Sequence, residues 1–348
     1  MLMRGGTSKG LFFVADELPP DAPDRDAFLL RVMGSPDDRQ IDGVGGAHPL
    51  TSKVAVVSTS ARPDADIDYL FLQVSVDTAQ VSDRQNCGNM LAGVAPFALE
   101  RGLVAATHAD RAEVRVHLVN TGGIAVATVA LHDGRPRYDG DTAISGVPGT
   151  AAPIRLDFDG VAGSSCGDLL PTGNAVDEID GIAVTLIDNG MPVVVMLAAD
   201  LGVSGQESPA ELEANDDLRA RLESIRLQAG PLMNLGDVTD TTVPKMTMVS
   251  APVAGGSLST RTFIPHRCHD AIGVLGAVSV ATAALLPGSP AAAIAENPGA
   301  EGTMIVEHPT GTFEAAITLS FDAAGSAIAE RSGIIRTARK LMDGTVYP

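Results

Sequence analysis

An α+β fold made of two similar halves, each a strand-rich sheet wrapped round a buried helix, is expected from three features of this chain. Its 348 residues are roughly twice the usual single-domain size, so two domains are the starting expectation. Runs with strand patterning outnumber those with helical patterning. Two segments 181 residues apart, Asn86-Cys87-Gly88-Asn89 and Arg267-Cys268-His269-Asp270, each set a cysteine ahead of a small-residue helix that strands can approach closely. The halves thus read as a duplication.

Taken in order, alternating or continuous apolar runs mark strands at residues 11–14, 53–58, 69–76, 114–119, 124–131, 182–187, 192–197, 247–250 and 312–319. Helical periodicity marks residues 24–33, 88–101, 209–228 and 270–286. The segment 209–228 is amphipathic and rich in Glu and Arg, which places it on the surface. Residues 88–101 and 270–286 are apolar nearly all round and must be buried. The linker falls near residues 171–181, where Pro171-Thr172-Gly173-Asn174 precedes a fresh strand. A first domain over residues 1–180 and a second over 181–348 follow, with the last strand free to return to the first.

A net charge of −19 repels nucleic acid and anionic lipid, which bind through clustered Lys and Arg. Aromatic content of 3%, without Trp, removes the platform for base stacking. Three widely spaced cysteines do not make a disulfide scaffold, and no charged start followed by an apolar run opens the chain. Pro287 interrupts the longest uncharged stretch after 16 residues, short of the roughly 20 a membrane span needs. A soluble cytoplasmic protein, with neither a nucleic acid nor a membrane partner, is the expectation.

Only four lysines, Lys9, Lys53, Lys245 and Lys340, stand among twenty arginines. Lysine can lose its proton and act as a base where arginine cannot, so each invites a chemical role beside that of a solvated surface charge. Lys53 follows Asp42-Gly43-Val44-Gly45-Gly46 and Thr51-Ser52 and opens an apolar strand, where partial burial would suit a base. Cysteines at helix starts gain thiolate character from the dipole and the unpaired amides, and the same amides bind carboxylates. Two such ends facing each other would make an anion site inside an acidic protein; the alternative is a pair of inert core thiols, which the polar neighbours Asn86 and Asn89 argue against for Cys87 but which stays open for Cys268. Cys166 precedes no comparable helix and reads as structural.

The turn Arg4-Gly5-Gly6-Thr7-Ser8-Lys9-Gly10 offers amides, hydroxyls and two cations to an anion, but its lysine is followed by Gly and a strand, so it is not a phosphate loop. His266, Cys268 and His269 crowd three ligands into four residues, too close to surround one zinc, and no metal is expected.

These segments, with Gly34-Ser35-Pro36-Asp37, Gln40-Ile41-Asp42-Gly43, Leu50-Thr51-Ser52-Lys53-Val54, Leu170-Pro171-Thr172-Gly173-Asn174, Asp188-Asn189-Gly190-Met191-Pro192, Arg261-Thr262-Phe263-Ile264-Pro265-His266 and Arg336-Thr337-Ala338-Arg339, closely resemble the methylitaconate and methylaconitate isomerase family. Within it, the likeness is to the branch acting on 4-oxalomesaconate in gallate degradation. The resemblance implies a diaminopimelate epimerase-like fold, each domain a strand barrel round a central helix. It also implies cofactor-free proton transfer with Lys53 and Cys87 as the acid/base pair. Relatives carry a short strand before Arg4, and with only three residues ahead of Arg4 it is expected to be curtailed here.

The substrate expected from this resemblance is a small unsaturated keto tricarboxylate, isomerised by keto–enol or 1,3-allylic proton movement. Its carboxylates would meet Arg4, Ser8, Arg261 and the amides of Gly88 and Asn89, with Asn86, Cys268 and His269 alongside. An aconitate- or methylitaconate-type isomerase, a racemase using Cys87 and Cys268 as a thiol pair, and a non-catalytic carboxylate binder remain the alternatives. The assembly, a homodimer among the options, stays open.

Overall fold

The structure is a computed structural model that describes residues 1–83, 87–106, 108–296 and 302–348. The chain forms two compact units, Met1–Asp159 with Ile335–Pro348, and Gly160–Ile334. The change of unit thus falls before the expected linker at residues 171–181.

In the first unit the elements run β1 (Leu2–Gly5), β2 (Ser8–Val14), α1 (Ala22–Met33), β3 (Lys53–Thr59), β4 (Ile67–Val74), β5 (Val81–Ser82), α2 (Gly88–Glu100), β6 (Arg111–Leu118), β7 (Ile124–His132), β8 (Arg135–Pro136) and β9 (Pro153–Phe158). Pairing follows β1, β2, β3, β4, β6, β7 and β9. β9 then pairs with the chain's last strand, Ala327–Met342, which pairs back onto β1. Eight strands therefore close a barrel and leave no free edge between them.

Two of its ladders, β2 with β3 and β4 with β6, are parallel. Parallel neighbours need a crossover, and α1 and α2 lie in these two. The α2 crossover passes through the barrel, where the helix touches β1, β2, β3, β4, β7 and β9. Met90 to Ala98 are all buried, so the apolar character of this helix on every side is satisfied by strands on every side.

The second unit continues with β10 (Asp177–Ile179), β11 (Ile182–Asp188), β12 (Pro192–Leu197), α3 (Pro209–Glu213), α4 (Asp216–Leu232), β13 (Lys245–Ser250), β14 (Leu258–Phe263), α5 (Val274–Leu285), β15 (Thr303–His308), β16 (Gly311–Phe321) and the start of β17 (Ala327–Met342). Its strands pair in chain order. From β11 the ladders run antiparallel, parallel, antiparallel, parallel, antiparallel, antiparallel. The same order runs from β1 to β9 in the first unit. In the second unit α5 takes the place of α2, with Gly276 to Ala284 all buried.

Two helix expectations need correction. The predicted helix 209–228 is two helices, because Asn215 accepts a hydrogen bond from the Leu218 amide and caps a new start, while a Ser208–Glu211 capping box fixes α3. The predicted helix 270–286 begins only at Val274, behind an extended Gly273. Upstream, the Ala271 amide donates to His269 Nδ1, which holds a turn instead of a helix. Cys268 therefore is not at a helix start; it pairs with Phe263 in an isolated bridge.

Candidate active site

The inward face of the first barrel is set by strand alternation. Gly5, Ser8, Gly10 and Lys53 fall into connected rows, since Gly5 faces Ser8 and Gly10 faces Lys53 across their ladders. A Cβ on Gly5 would collide with the Asn89 carbonyl at the first turn of α2, so this hairpin rests directly on helix backbone. Gly6, at φ +50°, makes the turn beside it.

Cys87 occupies the residue just before α2 in extended conformation, and its side chain makes no capping bond. Its Sγ lies 4.0 Å from Ser8 Oγ, and its carbonyl accepts hydrogen bonds from the Leu91 amide and, at 3.4 Å, from the Tyr69 hydroxyl. Burial, with Cys87 adding to it, raises the Tyr69 pKa well above its ordinary value, so the phenol stays a neutral donor. The thiol itself is partly exposed. Among the described residues, a Cβ on Gly88 would meet nothing within 4 Å, and the first amides of α2 have no partner inside the helix. Asn89 Oδ1 accepts from the Thr7 amide at 3.4 Å. The expected role of Asn86 lies outside the described residues.

Lys53 begins β3 and is 7% exposed. Its Nζ donates to Gln73 Oε1 at 2.8 Å and sits 5.0 Å from the centre of the Phe71 ring. Gln73 Nε2 donates to the carbonyls of Pro49, Ser52 and Val74, which turns its oxygen toward the lysine. Among the described residues no carboxylate pairs with Lys53. Lys340, by contrast, is bound to Glu100 at 2.6 Å, while Lys245 donates to the Thr242 carbonyl. By register, Lys53 stands about one strand spacing, ~4.8 Å, from Gly10, itself two residues from Ser8. Ser8 thus links lysine and thiol on one face. Arg4 belongs to the other face of this hairpin, with Nη1 donating to Gly6 O and to both oxygens of Thr337.

In the second unit, Arg261 is buried on β14, donating through Nε to the Glu207 carbonyl and through Nη1 to the Thr260 carbonyl. Burial lowers its pKa. Cys268 is buried, and burial pushes its thiol up to about 11, against the opposing pull of Arg261. That is the reverse of the activation expected at a helix start. His269 accepts at Nδ1, which leaves its proton on Nε2. Burial lowers the His308 pKa, against the opposing effect of a backbone hydrogen bond with Thr312. Cys166 is held by burial and Asp188 at about 12 and is an inert thiol.

Gln73, Tyr69 and His308 were not singled out from sequence. For Gln73 a signal existed: Tyr69, Phe71 and Gln73 alternate on one face of a strand, so a polar residue follows two buried rings. No comparable signal marks His308.

A sequence model described as PrpF protein matches residues 1–348. The chain is 61% identical over 348 residues to a protein of Novosphingobium named (4E)-oxalomesaconate Delta-isomerase, covering 100% of this chain and 96% of that one. It is 58% identical over 347 residues to the 4-oxalomesaconate tautomerase of Pseudomonas putida, covering 99% and 94%. The crystal structure of a methylitaconate-delta-isomerase superposes with a TM-score of 0.85 at 36% identity, covering 99% of this chain and 93% of that one.

Proposed function

Because the chain belongs to the PrpF family along its whole length, we propose that it is an isomerase of 4-oxalomesaconate, with Lys53 and Cys87 of the first unit moving the proton. The observation that carries the residue assignment is the inward row of Lys53, Ser8 and Cys87 beside the open start of α2. Lys53 takes a proton from carbon next to the conjugated keto acid. The electron pair moves into the unsaturated system as a dienolate, whose oxygens the Gly88 and Asn89 amides and the Ser8 hydroxyl can stabilise. Cys87 donates its proton at another atom of that system, and exchange with solvent resets both groups.

Lysine fits the base role here because its partner is a neutral amide oxygen, which holds the amine in place without fixing its charge through a carboxylate. Each transfer contributes about 10²–10⁴-fold. A two-thiol racemase is less well supported, since a Cys268 thiol near 11 supplies little thiolate at neutral pH.

The test is proton NMR of 4-oxalomesaconate in deuterated water with wild type, Lys53→Met and Lys53→Arg. Loss of deuterium wash-in in both variants is the expected result, because guanidinium keeps charge but accepts no proton. Substantial exchange by the Arg variant would reduce Lys53 to an anion-binding charge.

A further inference from the structure

Three cations cross the outer face of the first barrel in a row. Arg4 stands opposite Lys9 in the β1–β2 ladder and opposite Arg339 in the β1–β17 ladder. Opposed residues share a face. It is the face turned away from α2, because Met3 and Gly5, on either side of Arg4, are the residues buried toward the helix.

Like charges opposed across a ladder repel, and burial together with Arg339 lowers the Arg4 pKa. In so acidic a chain a carboxylate partner is easily found. Elsewhere in this unit Arg62 pairs with Asp64, Arg115 with Asp66 and Arg101 with Asp343. Among the described residues, the Lys9 and Arg339 side chains have neither an ion pair nor a hydrogen bond, and the Arg4 side chain commits only Nη1. The row borders a cavity of about 510 Å³ whose lining adds the hydroxyl residues Thr7, Thr51 and Thr150. Asp139 also lines it, without an ion pair to any of the three among the described residues.

We infer that this cavity is a binding site for a small polycarboxylate, separate from the Lys53–Cys87 site. Strands lie about 4.8 Å apart, so the backbone positions that carry the three charges span roughly 10 Å, which suits carboxylates spread along a carbon chain better than one compact phosphate. Lys53, Gln73 and the Cys87 thiol belong to the α2 side of the same strands, so the two sites occupy opposite faces. Ser8, which lies 4.0 Å from Cys87 Sγ, also lines the cavity, so the two sites meet at this residue. The inference stands whether or not Lys53 and Cys87 carry out the chemistry.

Calorimetric titration of the intact chain with citrate, and separately with inorganic phosphate, at low ionic strength tests it. Citrate is expected to bind saturably, with at least tenfold weaker binding in Arg339→Gln and in Lys9→Gln. Arg339→Lys retains most of the affinity, and phosphate binds at least tenfold more weakly than citrate. Both Gln variants should melt at or above the wild-type temperature, since each removes a repelling charge. Their kcat and KM for 4-oxalomesaconate should stay within twofold. Unchanged citrate binding in both Gln variants overturns the site. A KM raised by the same factor as the citrate Kd makes the cavity part of the substrate's own site and overturns its separateness. Phosphate binding as tight as citrate overturns the polycarboxylate assignment. Absence of turnover in wild type would count against the isomerase reading alone, because the titration reads the cavity directly.

Discussion

The two units share one ladder order and one buried helix, yet they differ where that helix begins. In the first, the residue before α2 is Cys87, with its thiol uncommitted to capping. In the second, the residue before α5 is Gly273, which has no side chain. The hairpins resting on the two helix starts differ as well. Gly5 and Gly6 lie against α2 itself, whereas Asn189 reaches into α5 and is bonded to Ser279, Thr282 and Ser332. One copy of the scaffold thus keeps polar groups at an open helix end, while the other spends them on a closed internal network.

The contrast implies its largest effect at the cysteines. Cys87→Ser is expected to lower kcat by 10²-fold or more while sparing substrate binding, since a hydroxyl is a far weaker acid than a thiol of similar size. Cys268→Ser should cost less than tenfold. Steady-state kinetics on both variants decides it, and turnover by the Cys87→Ser variant within tenfold of wild type would remove the thiol from the mechanism.

A second difference should appear in thiol chemistry. A raised pKa keeps a thiol protonated at neutral pH, so its thiolate supply keeps growing as pH rises through the raised value. Cys268, at about 11, and Cys166, at about 12, should therefore alkylate on the order of 10²-fold and 10³-fold more slowly, respectively, than an ordinary thiol at pH 7. Their rates should keep climbing to those pH values. Partly exposed Cys87 should be modified first. Peptide mass spectrometry after timed iodoacetamide treatment reads all three, and Cys268 reacting as fast as Cys87 at pH 7 would contradict the contrast.

The hairpins give a stability comparison. Gly5→Ala drives a methyl into the backbone of α2 and is expected to cost about 1–3 kcal/mol as an overpacked contact. Asn189→Ala instead leaves Thr282 and Ser332 short of a partner and should cost a similar 1–3 kcal/mol. The two should separate in activity: Gly5→Ala displaces the turn that carries Ser8 and lowers kcat, while Asn189→Ala leaves kcat near wild type. Denaturant melts with kinetics on the folded fraction provide the measurement.

Much of this was readable from the sequence because apolar alternation and all-round hydrophobicity are local signals. Strands such as Pro192–Leu197 and the buried helix Gly88–Glu100 stand nearly where the patterning put them. Closure of the first barrel by Ala327–Met342 depends on pairing with residues more than 300 positions away, which no local pattern encodes. The misplacement of Cys268 has a different origin. Periodicity runs unbroken through Ala271 and Ile272, and only the His269 side-chain bond and the extended Gly273 show that the helix starts later. The opposite faces of Arg4 and Ser8 were hidden too, since the turn at Gly6 and Thr7 that sets their register is visible only once both strands are paired.

The smallest expected effect compares the crossover helices α1 and α4, which link β2 to β3 and β12 to β13. Asp21 precedes α1 but makes no side-chain capping bond, whereas the Asn215 side chain accepts from the Leu218 amide at 3.0 Å. An N-cap side chain stabilises a helix mainly through that bond, worth about 1 kcal/mol. Asn215→Ala should therefore cost about 1 kcal/mol, and Asp21→Ala only the few tenths that a carboxylate near a helix start supplies through the dipole. Raising ionic strength should erase most of the Asp21 effect and little of the Asn215 effect, because salt screens the charge but not the hydrogen bond. Chemical denaturation of both variants at two salt concentrations measures this. Equal losses at both sites, or an Asn215 loss that vanishes in salt, would mean that the second unit's crossover is not held by its cap.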